Sequence, residues 1–126
     1  MSGYPYSRIT LQVGERKFTT YRRTLINKSA YFAARIGLHS WDDKYDKVDI
    51  VEDGSYFIDA DPNTFEHILN YLRSGDYPIL FNTNTSHWDY PKYMALLSQA
   101  RLFEIRDLRD WIERKEYRNI VPFEEK

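Results

Sequence analysis

The chain has three histidines, His39, His67 and His87. Metal ligation would want two of them one helical turn apart, and proton transfer would want a carboxylate beside one of them. No pair is so spaced and no His lies near a patterned carboxylate, so these residues read as solvated or locally bonded, and no metal is expected. His67 falls between inward-facing positions and should point outward with Asn63, Asn70 or Tyr71. Asp59, Asp61 and Glu66 are close enough in sequence to suggest acid–base work. Asp61 is better explained as a helix cap before Pro62, and carboxylates near a helix start favour its dipole. The absence of cysteine excludes disulfides, thiolate zinc sites and a cysteine nucleophile. The sequence contains no G-x-S-x-G, P-loop or dinucleotide fingerprint. It therefore reads as a non-enzyme with no catalytic residue and no cofactor.

Basic residues gather as Arg16-Lys17 and Arg22-Arg23, with acids interleaved elsewhere. Nucleic-acid binding would need a wider basic face, so solvated or interfacial ion pairs are expected. A net charge of −1 gives no global field for nucleic acid or anionic lipid.

These residues are placed by a clear succession of elements. Residues 8–13 alternate as a half-buried strand, Gly14-Glu15 is a tight turn, and residues 17–21 pair back. Thr24 could cap a short helix through Leu25 and Ile26. Ser29 could cap another, with Tyr31, Phe32, Ala33 and Ile36 inward and Gly37 at its end. Residues 38–47 read as an exposed loop. Asp53-Gly54 is a hairpin signal that would fold 47–52 onto 55–59.

Tyr56-Phe57-Ile58 suits a strand. Asp61 and Pro62 open a helix of about 62–74, Phe65, Ile68, Leu69 and Leu72 form its apolar face, and Gly75 fits a left-handed stop. Residues 77–81 are a short apolar segment, and 82–89 a polar loop. A helix of about 91–103 follows, facing inward with Tyr93, Leu96, Leu97, Ala100 and Phe103. The last helix starts near Glu104 or Asp107 and buries Leu108, Trp111 and Ile112; residues 118–126 lack periodicity. The order is that of an α+β domain, a small, mostly antiparallel sheet with helices packed against it.

At 126 residues the chain suits one domain with one core. No apolar run reaches the length of a membrane span. The start, Met1-Ser2-Gly3-Tyr4, lacks the regions of a signal peptide. A cytoplasmic location is expected, with the nucleus as the other option. Eleven Tyr, seven Phe and three Trp exceed what the periodic faces use: Tyr4, Tyr6, Tyr45, Tyr77, Tyr90 and Tyr117 fall outside them. Such residues either complete a small core or mark a partner surface.

Two motifs carry a family resemblance. Residues 56–75 read YFIDADPNTFEHILNYLRSG and residues 9–20 read ITLQVGERKFTT. They resemble the "YFIDRDPxxFxxILNYLRxG" signature and the "hxLNVGGxxFxT" opening of the BTB/POZ superfamily, in its potassium-channel tetramerisation branch. The resemblance covers roughly residues 7–115 and leaves 116–126 as a tail or linker. It implies a BTB/POZ fold with about five helices and an interaction module without catalysis. It also implies homo-oligomers, often tetrameric or pentameric rings, and in many members an adaptor role for cullin-based ubiquitin ligases.

Carried over by position, the oligomer contacts fall on Gly14 and on Asp59, Ala60 and Asp61, with Arg8 or Arg16 as neighbouring charges. Cullin contacts would involve residues 38–52. There Ile50-Val51-Glu52 resembles a hydrophobic-x-Glu element, and Leu38 and Trp41 are large apolar groups; Ile50 could equally be a hairpin core residue. Two positions depart from the pattern: Ala60 replaces the usual Arg and Glu15 the second Gly. Losing a bidentate Arg would leave the ring weakened, differently sized or absent. Two further readings stand beside the adaptor. One is a channel-type assembly domain that sets stoichiometry. The other is a monomeric, elongin C-like heteromeric subunit. The zinc site of one subclass of the channel domain needs Cys and is impossible here.

Overall fold

A computed structural model describes residues 7–37 and 54–120. Strand β1 (Arg8–Val13) pairs antiparallel with β2 (Arg16–Tyr21), from Arg8 opposite Tyr21 to Val13 opposite Arg16. Alternation sends Ile9, Leu11 and Val13 inward from β1, and Phe18 and Thr20 from β2. The two-residue turn has a positive φ at Gly14, +58°, and none at Glu15. Glycine is needed at the first turn position only, so Glu15 introduces no backbone strain.

Helices α1 (Arg22–Ile26) and α2 (Ala30–Ile36) follow. Ser29 caps α2: its Oγ accepts from Phe32 N at 3.1 Å and donates to the Phe103 carbonyl at 2.6 Å, tying this cap to a distant part of the chain. The expected cap Thr24 instead lies within α1, which begins after Tyr21 without a side-chain cap. Ala33, expected inward, is exposed. Arg22 is not a solvated surface charge: it is buried, and its guanidinium donates to the Ile36 carbonyl and to Ser7 Oγ.

Strand β3 (Tyr56–Ile58) lies parallel to β1, giving the sheet order β2-β1-β3. The hairpin expected over 47–52 falls outside the described residues. Helix α3 (Pro62–Ser74) has the expected limits: Asp61 Oδ2 accepts from Thr64 N at 2.9 Å, and Gly75 closes it at φ +81°. Phe65, Ile68, Leu69 and Leu72 are buried, as the pattern requires. Tyr71, expected on the outer side, is buried too, because Tyr77 stacks on it and in turn on Trp111.

The expected polar loop at 82–89 contains a small antiparallel hairpin, β4 (Phe81–Asn82) with β5 (His87–Trp88), held by an edge contact between Phe81 and Trp88. Asp89 caps α4 (Tyr90–Leu102), and α5 (Arg106–Glu113) follows after buried Ile105. In the segment read from the sequence as tail, Glu116–Asn119 is a 3-10 helix whose Tyr117 is buried and stacked 4.0 Å from Tyr93. The architecture is α+β, with the helices packed on a small sheet that is mixed rather than mostly antiparallel: β1 pairs antiparallel with β2 and parallel with β3, and β4-β5 is a separate two-stranded antiparallel sheet.

Candidate interaction surface

The sequence motifs meet at one end of the sheet. Gly14 N donates to the Ile58 carbonyl at 3.0 Å, and Ala60 N donates to the same oxygen at 3.1 Å. A Cβ at Gly14 would come within 2.9 Å of the Ala60 carbonyl oxygen and 3.2 Å of Pro62 Cδ. Only glycine permits this approach. Gln12 Nε2 donates to the Gly14 carbonyl at 2.7 Å, and Gln99 Nε2 to the Asp61 carbonyl at 3.1 Å. The turn and the 58–61 segment are therefore fixed from β1, β3 and α4 together. A surface held in this way presents its charges without first having to be ordered.

Its charged groups divide into three kinds. Asp61 is exposed but committed, since Oδ2 accepts from both the amide and the hydroxyl of Thr64. Arg16 is likewise engaged within the chain. Its two terminal nitrogens donate to Asn63 Oδ1 at 3.1 Å and Glu66 Oε1 at 3.2 Å, and its guanidinium lies 4.8 Å from the Phe18 ring centroid. Asp59 is exposed and has no hydrogen bond or ion pair among the described residues. Ala60, where the resembled signature has Arg, is half-buried against the core.

The acid trio thus separates into a cap, an ion-pair partner and one uncommitted carboxylate. His67 is half-buried on α3, and His87 is exposed on β5 rather than in a loop. His39 lies outside the described residues. Among the described residues no cluster of three or more His, Asp or Glu side chains could hold a metal ion.

Arg8 does not join this end. It opens β1, while Gly14 follows its close, a separation of roughly 17–20 Å along an extended strand. There it lines an open depression of about 380 Å³ with Thr19, Thr20, Tyr21, Thr24 and Arg73. Arg73 Nη2 donates to the Thr19 carbonyl at 3.0 Å. Sequence reasoning missed Arg73 as a surface residue of interest. Its place in the last turn of the motif helix, beside the second strand, was the available signal. Leu38, Trp41, Ile50 and Glu52 lie outside the described residues.

The profile described as "BTB/POZ domain" matches residues 9–108, which takes in both motifs and the elements through α5's first turn. The chain belongs to the BTB/POZ family. It is 35% identical over 116 residues to human BTB/POZ domain-containing protein KCTD9, covering 88% of this chain and 26% of that protein. The mouse KCTD9 match is 36% over 110 residues, 83% of this chain and 28% of the relative. Potassium voltage-gated channel protein Shal of Drosophila melanogaster is 34% identical over 91 residues, 72% of this chain and 13% of the channel. The chain thus spans about a quarter of the length of the KCTD9 relatives and less of the channel. The solved BTB domain of zebrafish PATZ1 superposes with a TM-score of 0.55 at 16% identity, over 84% of this chain and 71% of that one, which supports the fold. The BTB/POZ assignment, of the potassium-channel tetramerisation type, follows from these matches. No helix among the described residues is long and apolar enough to cross a membrane.

Proposed function

We propose that this BTB/POZ domain is a protein–protein interaction module that self-associates and acts as an adaptor within a larger assembly. The carrying observation is the fixed polar face at Gly14, Asp59, Ala60 and Asp61, where an uncommitted carboxylate is held on a rigid turn. Arg16 supports that face from within its own chain, and Arg8 belongs to a second face. Two different faces on one chain suit head-to-tail contacts, which close into rings when the rotation permits. A tetramer or pentamer is the assembly this reading favours.

The adaptor part of the proposal names a cullin-based ubiquitin ligase, with Leu38, Trp41, Ile50 and Glu52 as the contact residues. It rests on the family resemblance and on the apolar character of those residues. Calorimetry with purified cullin N-terminal regions tests it, and failure of the unmodified chain to bind would remove the ligase part. Where binding occurs, Leu38→Ala with Trp41→Ala should abolish it while leaving the melting temperature unchanged. A large fall in stability would instead mean that Trp41 packs on its own domain.

The similarity to Shal supports a second reading, a domain that sets the stoichiometry of a larger protein. The full-length sequence separates the two, since the channel reading needs a membrane region in the same protein. Ala60 supports the third, a heteromeric subunit that works as a monomer, and solution mass tests it. We place the module in the cytoplasm, with the nucleus as the alternative.

A further inference from the structure

We propose that the depression between Arg8 and Arg73 binds a phosphate monoester, with both guanidiniums on the phosphoryl oxygens. The site needs no second copy of the chain. Arg8 opens β1 opposite Tyr21, and Thr19 is its diagonal neighbour two residues along β2. Such positions lie roughly 7–8 Å apart, within reach of long side chains. Thr19 is also where Arg73 is anchored, since Nη2 donates to its carbonyl at 3.0 Å. The sheet and α3 therefore bring two guanidiniums to one open depression of about 380 Å³. Small-ligand sites span about 300–1,000 Å³.

Among the described residues these cations have no counter-charge. Arg8 is exposed without a hydrogen bond or ion pair, and Arg73 has its Thr19 bond alone. No described Asp or Glu lines the depression. Two like charges held near one another repel, and an anion between them removes that cost. Most of the donors on both guanidiniums remain open. Thr24 adds a half-buried hydroxyl from α1 that makes no hydrogen bond among the described residues. A single guanidinium fork satisfies the two oxygens of a carboxylate. Two guanidiniums and a hydroxyl, supplied by β1, α3 and α1, suit the three oxygens and nearly double charge of a phosphate monoester.

NMR titration of the isotope-labelled chain with phosphoserine, glycerol phosphate and inorganic phosphate, at constant ionic strength, tests the site. Phosphate esters should give saturable shifts centred on the amides of Thr19, Thr20, Tyr21 and Thr24, and serine should give none. Arg8→Ala and Arg73→Ala should each weaken binding at least about tenfold. Arg101→Ala should not, because Arg101 is an exposed Arg paired with Glu113 outside the depression. Thermal melts should show every variant folded. Arg73→Ala also loses the Thr19 bond, so Arg8→Ala, which breaks no hydrogen bond or ion pair among the described residues, is the independent test. Tighter binding of phosphoserine than of glycerol phosphate supports the site and identifies a phosphorylated side chain as the source, and the reverse order supports it with a small phosphate ester. Shifts that never saturate, or equal affinity in Arg8→Ala and Arg101→Ala, overturn the site. Binding of inorganic phosphate without either ester overturns its assignment to a monoester.

Discussion

Gly14 packs so closely on Ala60 that a Cβ at Gly14 would sit 2.9 Å from the Ala60 carbonyl oxygen. The contact joins the β1–β2 turn to the segment that opens α3, bringing residues of two motifs well separated in sequence onto one surface. Gly14→Ala would place a side chain in a left-handed conformation, φ +58°, and against backbone that cannot swing away. The conformation alone costs about 1–2 kcal/mol, and the crowding adds to it. Chemical denaturation should show a loss of at least that size, and unchanged stability would contradict the close approach.

Leu69 tests the α3 core. It is essentially fully buried with Phe65 and Ile68 on the inward face of the helix. Leu69→Ala should cost about 2–5 kcal/mol, the usual range for a buried Leu. A melting temperature that barely moves would mean that this face is not the core.

Tyr117 should matter as much, although it sits beyond the periodic helices. It is buried, stacks on Tyr93 at 4.0 Å and touches Trp88 and Trp111. Tyr117→Ala should cost about 3–5 kcal/mol, the range for large buried aromatics. A chain ending at Lys115 should be similarly weakened in a urea titration, and an undiminished midpoint would contradict the packing.

The limits of legibility follow from this contrast. The α3 limits were readable because Asp61, Pro62 and Gly75 each act locally, through a cap, a preset φ and a left-handed stop. The Ser29 cap was readable for the same reason, but its second bond to Phe103 was not, since it depends on where α4 ends. Tyr71 and Arg22 were misplaced, and Tyr117 was left open between core and partner surface, because partners outside their own elements hold them: Tyr77, the Ile36 carbonyl and Tyr93. The same reason hid the division of the candidate interface. Arg16 and Arg8 look alike in sequence, yet one is clasped by α3 and the other opens a separate depression beside Arg73.

Alkaline pH should loosen the fold through Tyr93. Burial, above all, pushes its hydroxyl from an ordinary value of 10.0 up to about 12, with nearby Tyr117 adding to the rise and the Leu80 amide opposing it. The folded state therefore holds this proton more tightly than the unfolded state. The stabilisation is complete below pH 10.0 and is lost as pH rises towards about 12. Tyr71, raised chiefly by burial and next by Tyr77, adds to the fall. Denaturation midpoints measured across that window should decrease steadily, and Tyr93→Phe should flatten part of the decline. A stability independent of pH there would contradict the buried, protonated phenols.

Arg16 gives the complementary expectation of a small effect. Its contacts to Asn63 and Glu66 are exposed, with 41% and 54% of the Arg16 and Glu66 side chains accessible. Such a pair contributes about 0–1 kcal/mol. Arg16→Ala should therefore melt close to the unmodified chain and keep its solution mass. Dissociation on this substitution would make Arg16 an intersubunit residue after all.

The most direct measurement is the solution mass of the unmodified domain by multi-angle light scattering. It should be made across a concentration series reaching about 100 μM, at low and at high salt. The account expects a tetramer or pentamer at low salt whose association weakens as salt screens the exposed charges. A chain that remains monomeric at low salt and the highest concentration would contradict it.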